Sequence, residues 1–358
     1  VYEKDKQSSL FEDVKPKMQN TNVPKPSIPS PVATPIQTEK MADNNIDAKI
    51  TDANNAIHAR IKEYVKKNNP KLYILTPCYN GMCYVNYMTC LMNTIELFRT
   101  VGFSLQVEFC KGDSLIPRAR NNLVARAMND PNMTHVMFID NDITWNPVDL
   151  FKLILADKHL IGGIYPLKNY NWGKLISDPQ NPYNSNVIQT IIQRKNNSQL
   201  KGLISDEDMV KFNLVSYNVN YLDNYLSIDH NLAKVRHAAT GFLMIQREVF
   251  EQMFLAFPST KYVDDVHFLK EEENKYAYAL FDCGVEDGHY FSEDWLFCRR
   301  WSELGGEIWA HSKVLLNHVG HYEYAGDLDK LKISERGSMG IIEDTLKAQG
   351  AQMEKAQS

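Results

Sequence analysis

The chain has 358 residues, of which 44% are hydrophobic and 23% charged, the composition of a globular protein able to bury one large core or two moderate ones. Lys and Arg number 39 against 44 Asp and Glu, and this slightly acidic balance argues against nucleic acid as the main partner, because phosphate backbones are gripped by basic surfaces. No apolar run approaches the ~20 residues that cross a bilayer and no secretory leader is read, so no transmembrane segment and a cytoplasmic location are expected.

Residues 1–45 hold charges, Gln, Asn and six of the 15 prolines, as in "NVPKPSIPSPVATPIQ". Such a segment cannot bury enough apolar area to offset its ordering entropy, and it reads as a disordered arm. A leading helix over 46–69 follows, with Ile50, Ile57, Ile61 and Val65 along one side. The main domain, 70–340, opens with "KLYILTPCYNG", a short apolar strand ending in Thr76-Pro77 before the turn residues Asn80 and Gly81. "VNYMTCLMNTIELFRTVG" predicts a helix ending at Gly102, "SLQVEFCKGD" a strand, and "SLIPRARNNLVARAMND" a helix interrupted early by Pro117. In "HVMFIDNDITWNP" the strand Val136–Ile139 runs straight into two carboxylates, Asp140 and Asp142. The helix "PVDLFKLILADK" and the strand "LIGGIYPL" come next.

This alternation of strands and helices predicts an α/β fold with a mostly parallel central sheet flanked by helices. Ligands of such sheets bind beyond the carboxyl ends of the strands, where Thr76, Pro77, Asp113 and Asp140–Asn141–Asp142 all fall. Residues 170–235 lose the alternation, are rich in Asn, Ser and Tyr, and read as a variable insertion or lid. "VRHAATGFLMIQREVF" predicts one strand and a helix start, "SEDWLFCRRW" a helix behind an acidic pair, and "KVLLN" a strand followed by His318 and His321. Residues 341–358 form a polar tail. The six cysteines lack zinc-type CxxC spacing, and several lie in apolar runs, so they read as reduced core thiols.

Three constellations carry chemistry. On an extended backbone, Asp140 and Asp142 point the same way, and two carboxylates that close raise each other's pKa unless a cation neutralises them. Hard ions such as Mn²⁺ or Mg²⁺ take carboxylate oxygens together with substrate phosphate oxygens. The plainer alternative has Asp142 capping a turn and Asp140 solvated. Glu293 and Asp294 sit at a predicted helix start, where they serve the dipole with Ser292 as cap, or where Asp294 acts as a general base. His318 and His321 offer imidazole to a metal.

In this order the pieces resemble a GT-A type glycosyltransferase, a Rossmann-like family that uses nucleotide sugars, over about residues 70–325. "ILTPCYNG", with Thr76, Pro77, Tyr79 and Asn80, resembles the first nucleotide-binding strand and loop. "IPRARNNLVARAM", with Arg118, Arg120 and Asn121, resembles the arginine-bearing helix near the donor, and Asp113 precedes it. "FIDNDI" matches the Asp-x-Asp signature, "ATGFLMI" with Gly241 the small-residue strand beside the donor sugar, "SEDWLFCRR" the base-bearing segment of inverting members, and "NHVGHY" the late metal histidine. The set is most similar to stand-alone glycosyltransferases of large DNA viruses, phages and bacteria, which places a viral member in the host cytoplasm. The resemblance implies transfer of a sugar from a nucleotide-diphosphate sugar, a UDP-sugar most commonly, to a hydroxyl of a glycan or glycoprotein. It further implies donor contacts from the residues just named with Asp140 and Asn141, Mn²⁺ or Mg²⁺ held by Asp140, Asp142 and His318 (or His321), and Asp294 as base beside Glu293. The stretch 170–235 departs from the family pattern and leaves acceptor recognition open. Two alternatives stand beside this: a sugar-phosphate nucleotidyltransferase, against which "TPCYNGMCY" has one glycine and no lysine, and a non-catalytic glycan-binding or virion protein that keeps the fold.

Overall fold

Tyr73 and Leu75 point to one face of the first strand and Leu72 and Ile74 to the other, and all four are buried because both faces of the sheet are covered. The computed structural model describes residues 39–176, 186–196, 205–222 and 227–327, with the backbone alone for 39–53. The predicted arm up to 38 and the tail over 341–358 lie outside the described residues. The chain divides into two units, 1–49 and 50–358, and of the first the helical backbone of 39–49 is what is described.

Helix α1 (Glu39–Asn68) starts before the predicted 46, so residues 39–45 are helical rather than part of an arm. The last proline of the arm is Pro35, and "EKMADNN" has neither proline nor glycine to stop a helix from extending backwards. Then come β1 (Lys71–Cys78), α2 (Val85–Thr100), β2 (Ser104–Lys111), α3 (Ile116–Met128), β3 (His135–Ile139), β4 (Ile143–Trp145), α4 (Pro147–Leu155), β5 (Leu160–Gly162) and β6 (Pro166–Tyr170). The region 170–235 is less irregular than its composition suggests. Its described part carries α5 (Val187–Lys195), α6 (Asp206–Leu214), β7 (Val215–Tyr217), β8 (Asn220–Tyr221) and the start of β9 (Leu232–His237). Met209 and Phe212 of α6 pack with Ile191 of α5, and β7 pairs with β6.

"VRHAATGFLMI" contains two strands, not one: β9 and then β10 (Phe242–Gln246), broken at Ala238–Gly241. β10 turns back and inserts antiparallel between β3 and β5, a reversal that an unbroken apolar pattern does not announce. After α7 (Arg247–Ala256) follow β11 (Gly284–Glu286), β12 (His289–Phe291), α8 (Glu293–Glu303), β13 (Trp309–His311), β14 (Leu316–Val319) and β15 (Glu323–Ala325). The central sheet has the order β2-β1-β3-β10-β5-β13-β9-β8 and is mostly parallel, with β10 and β9 reversed. The predicted strand near "KVLLN" begins later, at Leu316, so His318 lies within β14 rather than beyond it.

One core, with Phe138, Leu243, Phe250, Phe281, Phe297 and Trp301, fills the face under α3, α7 and α8. The other, with Phe98, Met137, Trp145, Phe151 and Phe242, lies under α2 and α4. All six cysteines are free thiols, as the sequence predicts; Cys78, Cys110 and Cys298 are buried. No helix among the described residues is long and apolar enough to cross a membrane.

Candidate functional site

Helix α3 buries three polar residues in a row, Arg120, Asn121 and Asn122, which is costly unless each is satisfied. Asn121 is: its amide donates to the Phe281 carbonyl at 2.7 Å and its carbonyl accepts from the Phe281 N–H at 3.0 Å. Asn122 donates to Asp264 and accepts from the Tyr262 hydroxyl. Both asparagines therefore strap the segment around 262–281 onto α3. Arg120, only 4% exposed, is different. Its Nη2 donates to Asp140 Oδ1 at 3.0 Å and its Nε to Glu293 Oε1 at 3.3 Å, while its Cζ sits 5.3 Å from the centre of the Phe138 ring. Nη1 is buried without a hydrogen-bond partner among the described residues. A buried guanidinium with an idle donor pair calls for an acceptor.

The sheet runs out at Ile139, and the backbone turns, with the Ile143 N–H donating to the Asp140 carbonyl at 3.1 Å. That turn replaces the extended geometry expected from sequence, and the two carboxylates meet different basic side chains. Asp140 meets Arg120, whereas Asp142 meets His318 and Lys168. Among the described residues no three His, Cys, Asp or Glu side chains converge as a metal site. His318 Nδ1 donates to the Pro166 carbonyl at 2.9 Å, which fixes the ring and turns Nε2 toward Asp142 Oδ1 at 3.5 Å. Burial opposes ionisation of Asp142, but the His318 and Lys168 contacts outweigh it and hold the carboxyl below its ordinary range. Exposed His321 lies in the turn between β14 and β15.

On the other side, Asp294 sits in the first turn of α8. Ser292 is the N-cap by position, yet its hydroxyl donates to Asp294 Oδ1 instead of accepting from the backbone, and the same oxygen accepts from the Trp295 N–H at 2.9 Å. Burial pushes the Asp294 carboxyl above its ordinary range; the neighbouring Glu293 charge adds to the rise, and the Ser292 bond and Arg120 pull against it. Tyr165, beyond the end of β5, stands between these groups. Burial raises its phenol, and the charges of Asp140 and Asp294 push the same way, so it stays protonated. Its ring meets His318 edge-on at 5.2 Å.

Gly241 explains how Tyr165 fits. A Cβ there would lie 2.4 Å from the Tyr165 hydroxyl oxygen, so the residue is a packing glycine. Gly241→Ala should lower stability by ~1–3 kcal/mol, the usual cost of overpacking. Urea denaturation would check it, and an unchanged midpoint would mean that Tyr165 moves aside freely.

A cavity of about 620 Å³ gathers Pro77, Tyr79, Asn80, Arg120, Asp140, Asn141 and Asp142 of the predicted residues, together with Met82, Cys83, Tyr84 and Ile116. Asn141 closes one wall by donating to the Met82 carbonyl at 2.7 Å. The other predicted donor residues do not line it. Thr76 is fully buried, its hydroxyl 2.5 Å from that of Tyr87. Asp113 takes a two-pronged bond from Arg118, 2.8 Å on each side, which holds its carboxyl below the ordinary range and engages Arg118. Asn121 and Gly241 pack as described. Sequence reasoning missed Tyr165 and Lys168, although "GGIYPLK" follows a strand end, the same position that singled out Asp140.

No family model matches the chain, and no curated protein matches it in sequence. Among solved structures it is similar to A197 from STIV, with 13% identity over 70% of this chain and 86% of that one and a TM-score of 0.38. A likeness of that size carries no argument about function.

Proposed function

We propose that the protein is a metal-dependent, inverting glycosyltransferase that moves a sugar from a nucleotide-diphosphate sugar, a UDP-sugar in the first instance, to a hydroxyl of a glycan or glycoprotein. The observation that carries this reading is Arg120, a buried guanidinium in the lining of a cavity that Asp142 also lines; it bridges Asp140 and Glu293, the neighbour of Asp294, and its buried Nη1 has no hydrogen-bond partner among the described residues. Asp142 and His318 fit a divalent ion as a two-ligand site, because the His318 Nδ1 bond leaves Nε2 for the metal and phosphate oxygens and water complete such sites. Mn²⁺ or Mg²⁺ held there would supply Lewis-acid stabilisation of the departing nucleoside diphosphate.

The chain's own residues do the rest. Arg120 supplies the cationic wall of the cavity against which the diphosphate sits, and its bonds to Asp140 and Glu293 hold it in place before substrate arrives. Asp294 has Oδ1 engaged, while Oδ2 makes no hydrogen bond among the described residues. Oδ2 takes the proton of the acceptor hydroxyl as its oxygen attacks the anomeric carbon and the bond to the diphosphate breaks. The test is isothermal titration of UDP with Mn²⁺ and with EDTA. Clear binding in Mn²⁺ and weak binding in EDTA is expected; equal affinity in both would sink the metal-bridged reading.

A further inference from the structure

Lys168 lies on β6 with its ammonium on Asp142 Oδ2, while His318 faces Oδ1, so both oxygens of the metal-site carboxylate already have partners. The placement is built by packing as well as charge. The Lys168 stem crosses Gly320 in the loop after β14, where a Cβ would come within 3.0 Å of Lys168 Cδ. Yet the pair is breakable: the Lys168 side chain is 33% exposed and that of Asp142 21%, and partly solvated ion pairs are weak.

We infer that Lys168 is a resident counter-ion which a divalent cation must displace from Asp142, and whose freed ammonium then turns to the diphosphate. This rests on the metal–nucleotide reading of the cavity. Two consequences follow from the charges. An ion entering without nucleotide meets Asp142 and His318 among the described residues and must displace the Lys168 ammonium into water with no anion to receive it. An ion entering with a diphosphate gains phosphate oxygens, and Lys168 gains an anion. Lys168 thereby makes metal and nucleotide binding cooperative, and by linkage each ligand raises the affinity for the other by the same factor.

The experiment titrates Mn²⁺ alone into the full chain, following free Mn²⁺ by electron paramagnetic resonance. It compares the natural protein, Lys168→Met, Lys168→Gln and, as a charge control, Lys62→Met on the exposed side of α1. Melting curves identify any variant that fails to fold. Both Lys168 variants should bind Mn²⁺ more tightly than the natural protein, by up to roughly fivefold, the size set by losing a partly solvated ion pair. Lys62→Met should not differ. With UDP present, the gain in Mn²⁺ affinity should be smaller in the Lys168 variants than in the natural chain. Equal Mn²⁺ affinity with and without Lys168, including no binding by either, overturns the inference, as does an equal gain in Lys62→Met. Tighter Mn²⁺ binding by the Lys168 variants in a protein that binds no nucleoside diphosphate would keep the counter-ion role and overturn the nucleotide reading.

Discussion

Asp294→Asn is expected to slow sugar transfer by roughly 10²–10⁴-fold while nucleotide affinity survives, because an amide cannot accept the acceptor's proton. The side chain's other duties pass to asparagine unchanged. Its Oδ1 can still accept from the Ser292 hydroxyl and the Trp295 N–H. Stability should not fall either, and the sign follows from the raised pKa. A carboxyl whose folded pKa lies above its unfolded value contributes stability fully below the unfolded pKa, and that contribution is lost as pH rises through the folded one. At neutral pH the ionised Asp294 is therefore a cost, and the asparagine variant should melt at the same temperature or higher. With Asp294 as the proposed base, the transfer rate of the natural protein should fall on acidification at a pH above that of an ordinary carboxylate, since the base must be ionised. Glu293→Gln is the control. Glu293 holds Arg120 Nε, so its loss should weaken nucleotide binding more than it slows transfer. Normal turnover in Asp294→Asn beside a large loss in Glu293→Gln would move the base to Glu293. Normal turnover in both would refute the inverting mechanism.

Arg120→Met should produce the largest loss of stability among the site variants. It leaves the Asp140 and Glu293 carboxylates facing each other without their shared cation. Breaking a buried pair costs ~3–5 kcal/mol, and the low end applies because the Asp140 side chain is 32% exposed. For a domain of this size that is a drop in Tm of roughly 2–4 °C per kcal/mol. Nucleotide affinity should fall by about tenfold or more with the loss of a charge-assisted bond. Arg120→Lys keeps the charge but cannot reach both carboxylates and an anion with one planar fork, so it should rescue stability in part and binding little. A melting temperature within a degree of the natural protein would show that the bridge is not structural. Unchanged UDP affinity would remove Arg120 from the anion site.

The sequence alone determined the α/β alternation, the two-sided burial of the apolar strands, the placement of Asp140, Asn141 and Asp142 beyond a strand end, and the acidic start of α8. These follow from local rules: a period of two in strands, a longer period in helices, and turn residues between them. Tertiary structure alone decided which cation each carboxylate meets. Asp140 finds Arg120 from α3 and Asp142 finds His318 from β14 and Lys168 from β6, through pairings between residues far apart in the chain. It also withdrew Asn121 and Arg118 from the cavity, since their hydrogen-bonding groups are taken by the Phe281 backbone and by Asp113. The reversal of β10 and the turn after Ile139 belong to the same class. A side chain's type and spacing say what it can bind, but its partner is chosen by the long-range packing that brings a donor and an acceptor within reach, and one-dimensional spacing carries no record of that.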